Sequence, residues 1–182
     1  MTPFKRRTLL AAALTLPAAA MPRKPAAAQD RLRGLDHLVV EDPVAVPELQ
    51  LTGADGSVHG LDHYAGHGVV LNLWATWCVP CVAEMAALDE LARKVDGDIA
   101  VLALSSDRGG APAVERFYRE RGIRSLPVLL DPRGAAGRAL GARGIPTTLL
   151  IDRTGRERAR LEGAADWSSP ASIGAIRKAI AV

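Results

Sequence analysis

From residue 69 onward, short continuous apolar runs alternate with segments whose apolar positions recur at helical spacing. Residues 69–74 (Val-Val-Leu-Asn-Leu-Trp) read as a buried strand. A helix follows from near Cys78 to about Val95, with Leu88, Leu91, Ala92 and Val95 on one side and Gly97 after its end. Residues 99–104 form a second buried strand, and residues 112–121 a helix with Val114, Phe117 and Tyr118 as its apolar side. A short strand at 128–130 and a short helix at 134–140 come next. Residues 147–151 are a strand, Asp152-Arg153-Thr154-Gly155 a hairpin turn, and residues 157–161 the returning strand. The helix at 170–180 closes the pattern, with Ile173, Ile176 and Ile180 on one side. Upstream, residues 44–51 carry a short strand pattern with Pro47 near its start. Gly53-Ala54-Asp55-Gly56 is a turn signal, residues 57–59 a returning strand, and residues 61–64 a brief helical turn. Residues 29–43 are polar and irregular and read as a linker to the domain at 44–182. Buried strands alternating with amphipathic helices predict an α/β fold with helices on both faces of a sheet, and the last hairpin makes that sheet mixed.

The first 28 residues do not belong to this pattern. Lys5-Arg6-Arg7 precedes an apolar stretch from Leu9 to Ala20, too short for a span of about 20 residues. Small residues before Met21 and at 26–28 offer cleavage sites after Ala20 or Ala28. The segment reads as a signal peptide. Arg6-Arg7 before Thr8-Leu9-Leu10 resembles a twin-arginine signal, with general secretion or an uncleaved anchor as alternatives. This changes the meaning of the charge. Five of the 23 basic residues and none of the 20 acids lie in 1–28, which leaves 18 against 20, a net of −2. The formal +3 is therefore no sign of a nucleic-acid partner. Export would place the domain in an oxidising compartment such as the bacterial periplasm.

The chain has two cysteines, Cys78 and Cys81, placed where a strand gives way to a helix. A disulfide between them closes too short a loop to stabilise the fold much. Its use is to be made and broken. Cys78, at the helix N-terminus, reads as the attacking thiolate: the helix dipole, worth roughly 1–2 kcal/mol, lowers a thiol pKa by about one unit from about 8.5. Cys81 reads as the resolving thiol. Pro80 suits the first helical turn, where its missing N–H costs nothing. Trp77 offers an exposed apolar shelf. Structural zinc needs four ligands and this chain has one thiol pair, so no metal site is expected; Cu(I) on the dithiol is the chemically reasonable exception.

Gly144-Ile145-Pro146-Thr147-Thr148 opens the apolar strand at 147–151. The proline marks a strand start, or it is a cis proline that turns the Ile145 backbone toward the dithiol to pair with an extended client segment. His59, His63 and His67 are interrupted by glycines and read as surface loop; Arg116, Arg119, Arg121 and Arg124 read as a solvated helix face and its exit. No apolar surface stripe calls for an obligate dimer, so a monomer is expected.

With these motifs in place the chain resembles the thioredoxin superfamily. "NLWATWCVPC" followed by "GIPTTLLID" is similar to the TlpA-like periplasmic thiol–disulfide oxidoreductases and the related cytochrome c maturation reductases, over residues 44–182. The resemblance implies a thioredoxin-like fold with an N-terminal hairpin and a central insertion. It implies no cofactor, exported client proteins carrying a disulfide, and an integral membrane thiol donor of electrons. Apocytochromes c and copper-site assembly proteins are the client classes it suggests. Cys78, Cys81 and Pro146 match the family's dithiol and cis proline, and Trp77, Pro80, Ile145 and Thr147 complete the expected client-binding surface. Glu84 matches an acid that assists proton transfer; its alternative is an exposed acid favourable in the first helical turns. Asn72 stands where cytoplasmic thioredoxins carry a buried aspartate, which argues against a general thioredoxin and leaves Glu84 as the acid nearest the dithiol. Ala86 stands where the family often has proline. A disulfide-forming oxidase and a Cu(I) chaperone are the alternative functions, although all four histidines (37, 59, 63, 67) precede Cys78. A peroxidase would want an activated cysteine with a nearby Arg and Thr, and the paired Cys-x-x-Cys fits it poorly.

Overall fold

The computed structural model describes residues 35, 42–95 and 97–180. The expected signal segment and most of the expected linker lie outside the described residues, although Leu35 is buried in the core. The elements are β1 (Val44–Ala45), β2 (Leu51–Gly53), β3 (Val58–His59), a 3-10 turn (Leu61–Tyr64), β4 (Gly68–Trp74), α1 (Val79–Lys94), β5 (Ile99–Ser105), α2 (Gly110–Arg121), β6 (Leu129–Leu130), α3 (Ala135–Ala139), β7 (Thr147–Ile151), β8 (Arg156–Glu162) and α4 (Pro170–Ile180). The strands form one mixed sheet in the order β1-β8-β7-β4-β5-β6-β2-β3. This is the thioredoxin-like arrangement. The β2–β3 hairpin is the N-terminal extension, and α2 with β6 forms the central insertion.

β4 lies at the centre because every one of its seven residues can be buried. It pairs in parallel with β5, which requires the α1 crossover, and antiparallel with β7. Period-two alternation sends Val69, Leu71 and Leu73 to one face, and Val70, Asn72 and Trp74 to the other. Gly68 is glycine for a local reason: a Cβ there would collide with the Ile180 side chain at the end of α4.

Helices cover both faces of the sheet, as expected, but unequally. The long helices α1, α2 and α4 all join the core on the Trp74 face. The opposite face is covered by α3, the 3-10 turn and the chain between β1 and β2, where Leu49 is buried. The expected single strand at 44–51 is therefore divided. Val44 and Ala45 pair with β8 at one edge, while Leu51 begins a strand that pairs with β6 and β3 near the other edge. Residues 46–50 form a strap across the sheet between them. Pro47, which has no N–H for a ladder, sits in that strap.

Trp74, fully buried at the end of β4, stacks on Tyr118 (centroids 5.9 Å apart, planes 10° apart) and lies 5.2 Å from Phe117. Such pairs add about 0.5–1.5 kcal/mol beyond area burial, and they anchor the strand just before the cysteines. Burial, with a smaller contribution from the Asp89 carboxylate, raises the Tyr118 hydroxyl above its ordinary pKa. At the β7–β8 turn, Asp152 accepts from the Thr154 N–H and hydroxyl and from Arg156 N–H. Burial opposes ionisation of Asp152, but these bonds outweigh it and hold the carboxyl below its ordinary pKa.

Candidate active site

The chain leaves β4 through Ala75-Thr76-Trp77 and enters α1 at Cys78, which caps the helix: its Sγ accepts from Cys81 N–H at 3.3 Å. The two sulfurs are joined, with the Cα atoms 5.3 Å apart. Cys78 keeps 7% exposure and Cys81 none, so Cys78 is the sulfur open to solvent. Pro80 is in the first turn, where it removes no hydrogen bond. Around Cys78 the surface is apolar and open: Trp77 is 68% and Val79 80% exposed.

The loop before β7 supplies the opposite wall. The Ile145–Pro146 peptide bond is cis, and the Ile145 carbonyl oxygen lies 3.7 Å from Cys78 Sγ. That loop is tied down at four points. Thr147 Oγ1 donates to Gly144 O (2.7 Å) and Gly163 N–H to Pro146 O (2.8 Å). Arg160 donates to Leu140 O (3.0 Å), and Arg143 makes a bidentate pair with Glu162. The hydrogen bond to Arg143 holds the Glu162 carboxyl below its ordinary pKa, although the pair is exposed and screened by solvent.

Behind the dithiol, Glu84 is buried one helical turn after Cys81, which removes the exposed alternative. Its Oε2 accepts from Ala165 N–H (2.9 Å) and Trp167 Nε1–H (2.8 Å), and its Oε1 accepts from Asn72 Nδ2–H (2.9 Å). Asn72 Nδ2 also donates to Thr148 Oγ1 at 2.9 Å. A carboxylate with these donors is held in one orientation inside the core.

A family model described as Redoxin matches residues 40–174. The chain belongs to the Redoxin family. This redoxin is 36% identical over 121 residues to the thiol-disulfide oxidoreductase ResA of Geobacillus kaustophilus, with 64% of the chain and 67% of the relative covered. It is 34% identical over 120 residues to ResA of Geobacillus thermodenitrificans, with the same coverage. Two solved structures share its fold. One is a thiol:disulfide interchange protein DsbE from Chlorobium tepidum (TM-score 0.63, 27% identity, 77% of this chain and 95% of that one). The other is the exposed lipoprotein thioredoxin Etrx1 of Streptococcus pneumoniae (TM-score 0.62, 29% identity, 72% and 99%). With its Cys-x-x-Cys pair, this redoxin is a TlpA-like thiol:disulfide oxidoreductase.

Among the residues expected at the site, Trp77, Cys78, Pro80 and Cys81 follow one another into the first turn of α1, the cis Ile145–Pro146 bond lies across from Cys78, and Glu84 is buried one turn further along α1. Thr147 differs. It is fully buried between β4 and β8, its hydroxyl is committed to Gly144, and its side chain is not offered to a client. His59, His63 and His67 are not gathered at the site. His59 and His63 pack ring to ring (centroids 4.9 Å apart), and no cluster suited to a metal occurs among the described residues.

Two features of this redoxin had no local signal. Trp167 and Ala165 are more than 80 residues from Glu84 and meet it only through the fold. Asp107, after β5, holds the active-site loop: Oδ2 accepts from Thr76 N–H (2.9 Å) and Ser105 Oγ–H (2.7 Å), and Oδ1 from Thr76 Oγ1–H (2.6 Å). Asp107→Ala strands these donors and frees the segment that presents Trp77 and Cys78. Exchange with a model disulfide is expected to slow by about 10–100-fold, the scale of small misplacements near reacting groups. Asp107→Asn, whose amide oxygen still accepts, is expected to recover part of it. Stopped-flow exchange rates on the two variants check this.

Proposed function

We propose that this redoxin is an exported reductase that opens disulfides in selected client proteins. The observation that carries the reading is the placement of Cys78. It caps α1, keeps the outer exposure of the pair, and lies 3.7 Å from the Ile145 carbonyl oxygen beside the exposed Trp77 and Val79. Residues 1–28 direct export in this reading, and the domain works in the periplasm.

The chemistry begins with the reduced dithiol. The Cys78 thiolate, favoured by the helix N-terminus, attacks one sulfur of a client disulfide. The client's other sulfur leaves as a thiolate and takes up a proton, and a mixed disulfide forms. An extended client segment lies along Trp77 and Val79 and pairs with the Ile145 backbone. Glu84 then takes the proton of the Cys81 thiol. The Cys81 thiolate attacks Cys78 Sγ, releasing the second client thiolate and closing the Cys78–Cys81 bond. Two electrons have passed to the client, and a membrane thiol donor restores the dithiol. Apocytochromes c and copper-site assembly proteins are the client classes proposed.

The equilibrium potential of the Cys78–Cys81 pair, measured on the full chain in glutathione and dithiothreitol buffers, tests the direction. A value between about −270 and −220 mV matches thioredoxin-type reductants. A value near about −120 mV would make this a disulfide-forming oxidase instead.

A further inference from the structure

We infer that the Asn72 side chain is a positioning residue that rotates its amide by half a turn whenever Glu84 gains or loses a proton, donating to the carboxylate and accepting from the acid. The inference rests on the reading of Glu84 as the proton acceptor for Cys81 and adds the group that makes that role sustainable in a closed core.

Glu84 Oε2 already receives two N–H donors, from Ala165 and Trp167. A proton arriving at Glu84 therefore goes to Oε1. That oxygen faces Asn72 Nδ2, itself a donor, 2.9 Å away. Two donors cannot share that space, so a proton on Oε1 along this contact and the present amide orientation exclude one another.

Asn72 carries the remedy. Its Oδ1 is buried and has no hydrogen-bond partner among the described residues. As arranged, Nδ2 spends its two hydrogens on Glu84 Oε1 and Thr148 Oγ1. Half a turn about the Cβ–Cγ axis sets Oδ1 in the place of Nδ2. Its two lone pairs then accept from Glu84 Oε1–H and Thr148 Oγ1–H. The two contacts survive with their polarity reversed. One polar atom of the amide is left over in either orientation, the oxygen in one and the nitrogen in the other, and the proton on Glu84 decides between them. An aspartate at 72 could not donate to the ionised Glu84, and a leucine could serve neither state.

The surroundings leave Glu84 in control. β4 and β7 face it with Asn72 and Thr148, which are uncharged. Its own helix brings the dithiol, and further along brings Asp89, which is engaged by Arg124 N–H, Ser125 N–H and Arg93. The loop carrying Ala165 and Trp167 brings Asp166, turned to Ser168 N–H and hydroxyl. The basic residues of α4, Arg177 and Lys178, are exposed.

The proton balance is closed. Cys81 S–H and the Glu84 carboxylate become the Cys81 thiolate and Glu84 Oε1–H. The proton later leaves Glu84 for the released client thiolate or solvent, and the amide turns back.

The test is NMR on the reduced, full-length, isotopically labelled protein across the pH range in which it stays folded. The Glu84 carboxyl carbon reports its protonation. Cross-peaks from the Asn72 amide hydrogens to Thr148 report which end of the amide faces that hydroxyl. The expected result is loss of those cross-peaks on protonation, with the same midpoint as the Glu84 carbon, and no such change in Glu84→Gln. Titration of Glu84 with the Asn72 cross-peaks unchanged would overturn the rotation and leave Glu84's proton role standing. A Glu84 carbon that never titrates would overturn both.

Discussion

Cys81→Ser stops the reaction half-way. The variant keeps the attacking thiol at the mouth of the site and loses the one behind it, so each molecule forms a mixed disulfide with a client and cannot release it. Near-stoichiometric adducts are expected on non-reducing gels and by mass spectrometry, all dissolved by dithiothreitol. Cys78→Ser is expected to yield no adducts and to reduce model disulfides no faster than the uncatalysed background, because the remaining Cys81 has no exposure to solvent. The asymmetry is what assigns the roles. If Cys78→Ser trapped clients as well as Cys81→Ser does, the order of attack would be reversed.

Glu84→Ala is expected to damage stability as much as activity. Removing the carboxylate leaves one hydrogen of Asn72 Nδ2, Ala165 N–H and Trp167 Nε1–H without their acceptor. Buried donors left unpaired cost about 1–3 kcal/mol each, so a loss of about 3–5 kcal/mol is expected by chemical denaturation. That is a large part of the roughly 5–15 kcal/mol that holds a domain together. Glu84→Gln keeps the shape and most of the contacts but cannot take a proton. Its mixed-disulfide resolution is expected to slow by about 100- to 10,000-fold, the usual worth of a positioned acid or base, with initial attack by Cys78 little changed. Single-turnover kinetics separate the two steps.

What could be read from the chain alone followed how far each signal reaches. The dithiol, the proline at 146 and the boundaries of β7 and α4 are written in a few adjacent residues, and they stand where the pattern put them. The division of residues 44–51 was hidden because a short apolar-polar alternation does not say which strand it will pair with. Val44 and Leu51 end up near opposite edges of the sheet. The unequal covering of the two faces was hidden for a similar reason: a helix's apolar side shows that it packs, not on which side of the sheet. Glu84 could be read as exposed or buried until its partners were known, and two of those partners come from the loop before α4. The clamp of Asp107 on Thr76 joins two loops that the sequence holds 31 residues apart.

The two walls of the site also differ in how far apart they lie along the chain. The sulfurs of Cys78 and Cys81 are three residues apart, while Cys78 meets Ile145 across 67 and Asn72 meets Thr148 across 76. Contacts this distant form late, because the long loop between them must close first. A newly made chain can therefore join its two cysteines before any sheet exists. Oxidation of the pair is then no measure of folding, and an unfolded molecule can carry the disulfide while lacking the Ile145 wall that faces it.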